Sequence, residues 1–312
     1  MKTIREFLRE YNRFLITSHK NPDGDAIGSQ IGLTLALKKM GKDVLIVDTD
    51  PVPKRFRYFE HIHLVKNEIG DFDYEAVIVL DCSSPDRLGA ISKNIDFTKP
   101  IANIDHHISN EYFGTVNLVQ PERSSTCEIV YLLLMGFIEL DKEIATYLYL
   151  GILTDTGSFR YANTQAESLR HASELLSFGV DASSVAERIW FRDTPGRLKL
   201  LGSVLETIEI HDAFSLMYVT RDMLNRYNTK EEDTEEFASY GLTIDGVKAT
   251  AFVKERDSEI KVSLRSKRGT DVDRIASIYG GGGHKTAAGF TVKGKDLFAF
   301  IEELKRVMEE NV

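Results

Sequence analysis

Cysteine is nearly absent from this sequence of 312 residues, which contains only two. Cys82 and Cys127 lie far apart in the chain, and neither has a second cysteine at the short spacing of a zinc-thiolate motif. The scarcity of cysteine excludes a disulfide framework and a structural zinc site built on thiolates. We expect both cysteines to be small buried residues.

Long apolar runs and an excess of basic residues are also missing. No stretch approaches the roughly 20 apolar residues that a membrane span requires, and the segment from Met1 to Glu6 lacks the apolar core of a secretory signal. The 39 basic residues are outnumbered by 48 acidic ones, which gives a formal charge of −9. A protein that wraps long nucleic acid by counterion release needs the opposite balance. We therefore expect a cytoplasmic protein that binds neither membranes nor long duplex nucleic acid, although a short nucleotide substrate is compatible with this charge.

The pattern along the chain predicts an α/β fold with two domains. Short runs rich in β-branched residues alternate with helical periodicity in the first part of the chain, and several of these runs are apolar throughout. Such strands are typical of a parallel sheet flanked by helices. The composition changes at Asp193-Thr194-Pro195-Gly196. We predict a catalytic domain over 1–192, a helical linker over 193–213 and a second, smaller α/β domain over 214–312.

Side chains that can bind metal ions follow the predicted strands of the first domain. The segment Ile104-Asp105-His106-His107-Ile108 places one carboxylate and two imidazoles directly after an apolar run. Because the carboxyl ends of parallel strands meet at one edge of a sheet, we expect side chains from separate segments to converge there. The other candidates are His19, Asp23 and Asp25 after the first strand, Asp81 after another strand, and Asp155 after an apolar helix or strand.

Carboxylates and imidazoles without thiolates favour Mn²⁺ or Mg²⁺ over structural zinc. There are six candidate ligands: His19, Asp23, Asp25, Asp81, His106 and Asp155. This number suits two ions that share one carboxylate. Two ions about 3.5–4 Å apart activate water and stabilise the attacking and leaving oxygens at phosphorus. The sequence thus predicts phosphoester hydrolysis by hydroxide attack at a two-metal centre. Single residues also have structural interpretations, such as Asp25 as the N-cap of the following helix.

These segments resemble the four signature motifs of the DHH phosphoesterase superfamily. The matching residues are His19-x3-Asp23-Gly24-Asp25, Asp81, Asp105-His106-His107 and Asp155, and Gly281-Gly282-Gly283-His284 resembles the hallmark of the DHH-associated C-terminal domain. The resemblance covers nearly the whole chain. Length and domain pairing are most similar to the bacterial nanoRNase and pAp-phosphatase branch. Members of this branch hydrolyse very short oligoribonucleotides, 3′-phosphoadenosine 5′-phosphate (pAp) and linear dinucleotides such as pApA, which arises from cyclic di-AMP.

The resemblance implies a role for each matching residue. His19 and Asp23 would hold one Mn²⁺ and Asp25, His106 and Asp155 the other, with Asp81 as the bridge and Mg²⁺ or Co²⁺ as substitute ions. His107 would act on the scissile phosphate as a catalytic residue, and Asp105 would orient an imidazole. The substrate-binding residues of the second domain would be Arg265, Gly282, Gly283, His284 and Lys285. The resemblance also implies a homodimer.

The leading hypothesis is a Mn²⁺-dependent phosphodiesterase that degrades short oligoribonucleotides and pApA to mononucleotides, with pAp as a further substrate. Two alternatives stay open. The first is an inorganic pyrophosphatase or exopolyphosphatase of the same superfamily, which the glycine-histidine run disfavours. The second is a nucleotide-sensing module with a dead catalytic centre. That alternative predicts a missing ligand, whereas all six candidates are present.

Overall fold

The structure is a computed structural model that describes residues 3–312, apart from the side chain of His284. The chain divides into two compact units, Met1–Arg192 and Asp193–Val312. Each unit is built on a six-stranded sheet. The predicted class, a parallel sheet flanked by helices with a second and smaller α/β domain, is confirmed. Among the described residues, no helix combines the length and the apolar character needed to cross a membrane.

The sheet of the first unit is entirely parallel. Its strands are β1 (Arg13–Thr17), β2 (Asp43–Val47), β3 (Val65–Lys66), β4 (Ala76–Leu80), β5 (Ile101–Asp105) and β6 (Val116–Val119). They lie in the order β3-β2-β1-β4-β5-β6. The order changes direction between β1 and β4, which is where open parallel sheets bind their ligands, beyond the carboxyl ends of the strands. Every residue of β4 is buried, as its uninterrupted apolar sequence predicts.

Helices cover this sheet and fill its connections. They are α1 (Ile4–Glu10), α2 (Gly24–Lys39), α3 (Thr126–Leu134), α4 (Lys142–Asp155), α5 (Ala166–Ser177) and α6 (Ala182–Trp190), with 3-10 segments at Lys54–Phe56, Glu60–Leu64 and Pro85–Asn94. Two glycines of α2 face α4 at close range. A Cβ at Gly28 would lie 2.5 Å from the Tyr147 carbonyl oxygen, and one at Gly32 would lie 2.9 Å from Leu148 Cδ2. Glycine at these positions lets the two helices approach each other.

The second unit contains a mixed sheet. Its strands are β7 (Glu209–Ile210), β8 (Phe214–Val219), β9 (Ala249–Glu255), β10 (Glu259–Ser266), β11 (Gly282–His284) and β12 (Ala287–Lys293). The order is β11-β12-β10-β9-β8-β7; β8 and β9 are parallel and the other neighbours are antiparallel. The helices are α7 (Pro195–Leu205), α8 (Arg221–Arg226), α9 (Phe237–Gly241), α10 (Val272–Ile278) and α11 (Leu297–Asn311), with a 3-10 segment at Glu231–Thr234.

The segment 193–213, for which the sequence predicts a helical linker, packs within the second unit. Leu200 and Val204 of α7 are fully buried in one cluster with Phe237 and Phe252. The last part of the segment is β7, which pairs with β8. An amphipathic helix buries its apolar face against the nearest core, and here that core belongs to the second sheet.

The glycine run in the second unit opens a hairpin formed by β11 and β12. A Cβ at Gly283 would lie 2.6 Å from the Cα of Ala288, and a Cβ at Gly281 would lie 2.9 Å from the Cα of Phe290. The opposing backbone is too close for any side chain, so glycine is required for this pairing.

Both cysteines are buried and free, as predicted. Burial raises the pKa of Cys82 to about 12 and the pKa of Cys127 well above its ordinary value. The two thiols are therefore protonated at neutral pH and act as small packed side chains.

Phe300 and Phe298 on α11 provide a matched test of the second core. Phe300 is 1% exposed and packs against Tyr279 and Phe290, whereas Phe298 is 56% exposed and touches Tyr218. We expect Phe300→Ala to lower the free energy of unfolding by about 3–5 kcal/mol, because it leaves a cavity. Phe298→Ala should cost about 1 kcal/mol or less. Urea unfolding of the whole chain measures both losses, and equal losses would contradict this view of the core.

Candidate metal centre

The predicted ligands of the first unit lie together at the carboxyl edge of its sheet. His19 follows β1, Asp81 follows β4 and His106 follows β5, so three neighbouring strands deliver one ligand each. Asp25 lies in the first turn of α2. The sequence left open whether the segment before Asp155 is a helix or a strand. It is the helix α4, so Asp155 reaches the site from a helix C-terminus.

The six predicted ligands form two groups, and Asp81 lies close to both; His107 lies in a further group with Asp81 and His106. The first group is His19, Asp23 and Asp81, and the second is Asp25, His106 and Asp155; within each group the ligand atoms lie within 4.8 Å of one another. Asp81 lies between the groups, with Oδ2 3.5 Å from His19 Nε2 and Oδ1 3.6 Å from His106 Nε2. A carboxylate with one oxygen toward each group is suited to bridge two ions.

The backbone of Asp81 is strained. Its φ of 54° lies in the left-handed region, which a residue with a side chain rarely adopts. Its N–H donates to the Ile104 carbonyl at 3.0 Å, and Thr126 Oγ1 donates to its Oδ1 at 3.1 Å. Such strain, of order 1–3 kcal/mol, persists only where the surroundings fix the residue, and it is concentrated at functional sites.

The N-terminus of α3 holds the carboxylate of Asp25. Asp25 is 1% exposed, and it accepts hydrogen bonds from the backbone N–H of Thr126 at 2.6 Å and of Cys127 at 2.8 Å. These N–H groups have no acceptor within their own helix, and they lie at its positive end, so they stabilise the charge. The N-cap of α2 is Asp23, whose Oδ1 accepts from the N–H groups of Asp25 and Ala26. The interpretation of Asp25 as that N-cap is therefore wrong.

Asp105 is fully buried and holds the His107 ring. Its Oδ1 accepts from His107 Nδ1 at 2.7 Å and from the His106 N–H at 2.9 Å, while its Oδ2 accepts from Asn110 Nδ2 at 2.6 Å. The carboxylate thereby fixes both the orientation of the His107 ring and the nitrogen that carries its proton. His107 Nδ1 also lies 3.6 Å from Asp81 Oδ1, so the ring borders both ligand groups.

Excess negative charge dominates the electrostatics of the site. Burial and the charge of Asp81 raise the pKa of Asp25 to about 7, and burial with the charge of Asp25 raises the pKa of Asp155 well above its ordinary value. Burial opposes the protonation of His19, but Asp81 and Asp23 raise its pKa to about 10. Protons thus balance the carboxylates in the absence of other cations. Divalent ions would displace these protons, so the charge of the site fits metal binding.

Two asparagines that no sequence motif marks, Asn163 and Asn110, support the site. Asn163 Nδ2 donates to the Asp155 carbonyl at 3.1 Å, to Asp155 Oδ2 at 3.2 Å and to the Ser124 carbonyl at 2.9 Å. It joins the end of α4 to the segment that precedes α3. The side-chain amide of Asn110 likewise donates a hydrogen bond to the carboxylate of Asp105. An asparagine outside a motif has no spacing that marks it, so only the folded chain identifies these residues.

The predicted substrate-binding residues lie on neighbouring strands of the second unit and, for Lys285, in the turn between β11 and β12. Arg265 on β10 and His284 on β11 both pair in register with Ala287 on the intervening β12. The side chain of His284 lies outside the described part of the structure. The other members, all exposed, are Gly282, Gly283 and Lys285.

The fold and the carboxylate-imidazole centre define a hydrolase of phosphoester bonds. Residues 13–152 match the DHH family, N-terminal domain, and residues 215–310 match the DHHA1 domain. A bifunctional oligoribonuclease and PAP phosphatase NrnA from Thermus thermophilus is 38% identical over 315 residues, which cover 99% of this chain and 94% of the relative. The chain therefore belongs to the DHH family, and the resemblance inferred from its motifs is confirmed.

Other relatives share the whole fold. A protein of the same description from Bacillus subtilis is 27% identical over 293 residues, covering 92% of this chain and 91% of the relative. The crystal structure of an exopolyphosphatase-related protein from Bacteroides fragilis matches with a TM-score of 0.90 and 27% identity, over 99% of this chain and 94% of that chain. Exonuclease RecJ bound to manganese matches with a TM-score of 0.57 and 16% identity, over 99% of this chain and 94% of that one, which shows a shared fold alone.

Gly151 on α4 tests the placement of Asp25. A Cβ at Gly151 would lie 2.6 Å from Asp25 Oδ1 and 2.7 Å from Cys127 Cβ. We expect Gly151→Ala to displace the carboxylate, which lowers the affinity for divalent metal ions by about 10–100-fold and the free energy of unfolding by about 1–3 kcal/mol. Titration calorimetry and urea unfolding measure the two effects.

Gly202 on α7 is the matched control, because a Cβ there meets no atom within 4 Å. Gly202→Ala should leave the affinity for divalent metal ions unchanged and raise the free energy of unfolding by about 0.4–1 kcal/mol. Unchanged affinity for divalent metal ions in Gly151→Ala would show that the placement of Asp25 does not depend on the close contact with α4.

Proposed function

We propose that this protein is a Mn²⁺-dependent phosphodiesterase that degrades short oligoribonucleotides and linear dinucleotides such as pApA to mononucleotides. It also removes a phosphate from pAp. The observation that carries the proposal is the pair of ligand groups joined by Asp81. The choice of substrates is supported by two relatives that span more than nine-tenths of the chain and are described as oligoribonuclease and PAP phosphatase.

The proposed metal ligands are the six side chains that make up the two ligand groups. His19 and Asp23 would hold one ion. The other ion would be held by Asp25, His106 and Asp155, and Asp81 would contact both ions. Bound ions would supply the Lewis acidity that activates water and offsets charge on the phosphate oxygens. A set of four carboxylates and two imidazoles supports Mn²⁺, because carboxylates suit hard cations and imidazoles suit transition metals, with Mg²⁺ or Co²⁺ as substitutes.

His107 is the proposed catalytic residue of the chain, with Asp105 as the residue that positions it. Asp105 accepts a hydrogen bond from His107 Nδ1–H, so Nε2 is the ring atom that would face the scissile phosphate. Burial disfavours the charged ring, but the hydrogen bond to Asp105 and the charge of Asp81 raise the pKa of His107. A protonated ring would donate a hydrogen bond to a phosphate oxygen or a proton to the leaving oxygen.

The second unit would bind the end of the substrate. Arg265 offers a planar, charged donor for a phosphate, and the exposed glycines of β11 allow backbone N–H groups to approach an anion closely. His284 and Lys285 complete the proposed set. Binding of a terminal phosphate selects substrates with a nearby free end, which accounts for a preference for short RNA. The same proposal assigns catalysis to residues 1–192, a helical linker to 193–213 and substrate binding to 214–312. It also includes a homodimer and a cytoplasmic location.

A hydrolysis panel tests the proposed substrates. With Mn²⁺ present, we expect rapid turnover of pApA, slower turnover of RNA as its length increases, and release of phosphate from pAp. Chelation with EDTA should abolish each activity, because the ligands alone cannot activate water, and added Mn²⁺ should restore it. Pyrophosphate and polyphosphate are the comparison substrates. Activity confined to these two would contradict the proposal and support the alternative class of pyrophosphatases and exopolyphosphatases.

Two substitutions separate the proposed metal ligands from the proposed substrate contacts. Asp81→Asn removes the shared ligand, so it should reduce the hydrolysis of every substrate to background. Arg265→Ala should raise the KM for pApA by about 10–100-fold, the effect of losing a charge-assisted hydrogen bond. It should spare the hydrolysis of bis(p-nitrophenyl) phosphate, which has no nucleotide to bind. If both variants lost the same share of activity on this generic ester, the proposed distinction between metal ligands and substrate contacts would be wrong.

A further inference from the structure

A separate group of metal-ligating side chains lies at the other end of α4 from Asp155. Glu60, His61 and Glu143 each bring one ligand atom to within 4.8 Å of the others. Glu143 lies in the first turn of α4, twelve residues before Asp155, which is about 18 Å along a helix with a rise of about 1.5 Å per residue. This group therefore belongs to neither of the ligand groups at the sheet edge.

The ring nitrogen of His61 has no hydrogen-bond partner among the described residues. Its Nε2 is shielded from solvent, and Glu143 Oε2 lies 3.3 Å away but off the direction of a hydrogen bond from the ring. A buried polar atom without a hydrogen-bond partner destabilises the folded protein. A neutral imidazole offers a lone pair at this position, and a metal ion between the ring and the carboxylate would satisfy it.

The chain holds the His61 ring in place. The backbone N–H of His61 donates to Tyr147 Oη at 3.0 Å, and the His61 and Tyr147 ring centroids are 5.9 Å apart. Tyr147 is 3% exposed and packs against Phe59 at 6.1 Å. Because Glu143 and Tyr147 are four residues apart, they lie on one face of α4. One helix thus positions both the carboxylate and the imidazole, as a metal site requires.

A cavity beside the group leaves room for further ligands. It has a volume of about 340 Å³, and its lining includes Lys142, Asp181 and Arg188 besides the three ligands. The three carboxylates of this lining exceed its two cationic side chains by one charge. Arg188 is already engaged, since Nη1 donates to the Tyr58 carbonyl at 3.2 Å and the guanidinium lies 5.5 Å from the Phe59 ring centroid.

We propose that Glu60, His61 and Glu143 form a separate site for a first-row transition-metal ion of the Zn²⁺ type, with water completing its coordination. One imidazole and two carboxylates form a donor set that Zn²⁺ accepts in proteins. The ion joins the 3-10 segment Glu60–Leu64 to α4. It therefore stabilises the helix that ends at Asp155, independently of the substrate that the sheet-edge site binds.

The zinc content of the full chain tests this site. Protein dialysed against buffered Zn²⁺ is analysed by mass spectrometry of its metal content. We expect His61→Ala and Glu143→Gln each to lose one equivalent of Zn²⁺ relative to the unsubstituted protein. His63→Ala is the matched control, because His63 Nδ1 contacts the Glu60 carbonyl at 3.0 Å and its ring lies outside the group. It should retain the full content.

Two further measurements make the result decisive. The variant Asp81→Asn has altered ligands at the sheet edge. Adding His61→Ala to this variant should still remove one equivalent of Zn²⁺. If His61→Ala does not fold, Glu143→Gln decides, because its side chain is 58% exposed and the change is isosteric. Equal zinc content in Glu143→Gln, His63→Ala and the unsubstituted protein would overturn the proposal.

Discussion

Mutual repulsion among buried carboxylates is the constraint that the first unit must satisfy. Asp25, Asp81, Asp105 and Asp155 enter one crevice from four segments, and each is held by donors from elsewhere in the chain. The free N–H groups of α3 hold Asp25, and asparagines hold two of the others. These donors do not remove the repulsion, because ligand oxygens of Asp25 and Asp155 lie within 4.8 Å of each other, as do those of Asp23 and Asp81. A cation is the partner that such an arrangement lacks, so charge compensation and chemistry are supplied by the same ions.

The parts of the site that the sequence predicts are those encoded by local patterns. Apolar runs followed by an acid predict β4 and β5 with their terminal carboxylates, and parallel pairing brings them together. The type of the segment before Asp155 could not be predicted, because α4 is apolar around most of its circumference and shows no helical period. Asn163 and Gly151 escaped detection for another reason. Their roles depend on contacts with residues far away in the chain, which no spacing reveals.

The second unit shows the same limit of local patterns. The sequence predicts a helical segment at α7, but it does not predict the packing of that helix against Phe237 and Phe252. All ligands of the proposed centre lie within Met1–Arg192. Substitutions in the second unit therefore leave the set of proposed metal ligands unchanged. This separation suits a family whose relatives share one fold and differ in their described activities.

The close packing between α2 and α4, which Gly28 and Gly32 allow, also determines when the site can form during synthesis of the chain. The two helices are separated by more than a hundred residues, so their contact forms only after a large part of the chain is available. On the ribosome, Asp25 emerges long before α4, and Asp155 is the last of the ligands to be synthesised. A nascent chain therefore carries an incomplete centre, and the protein cannot cleave RNA while its own first unit is still being translated.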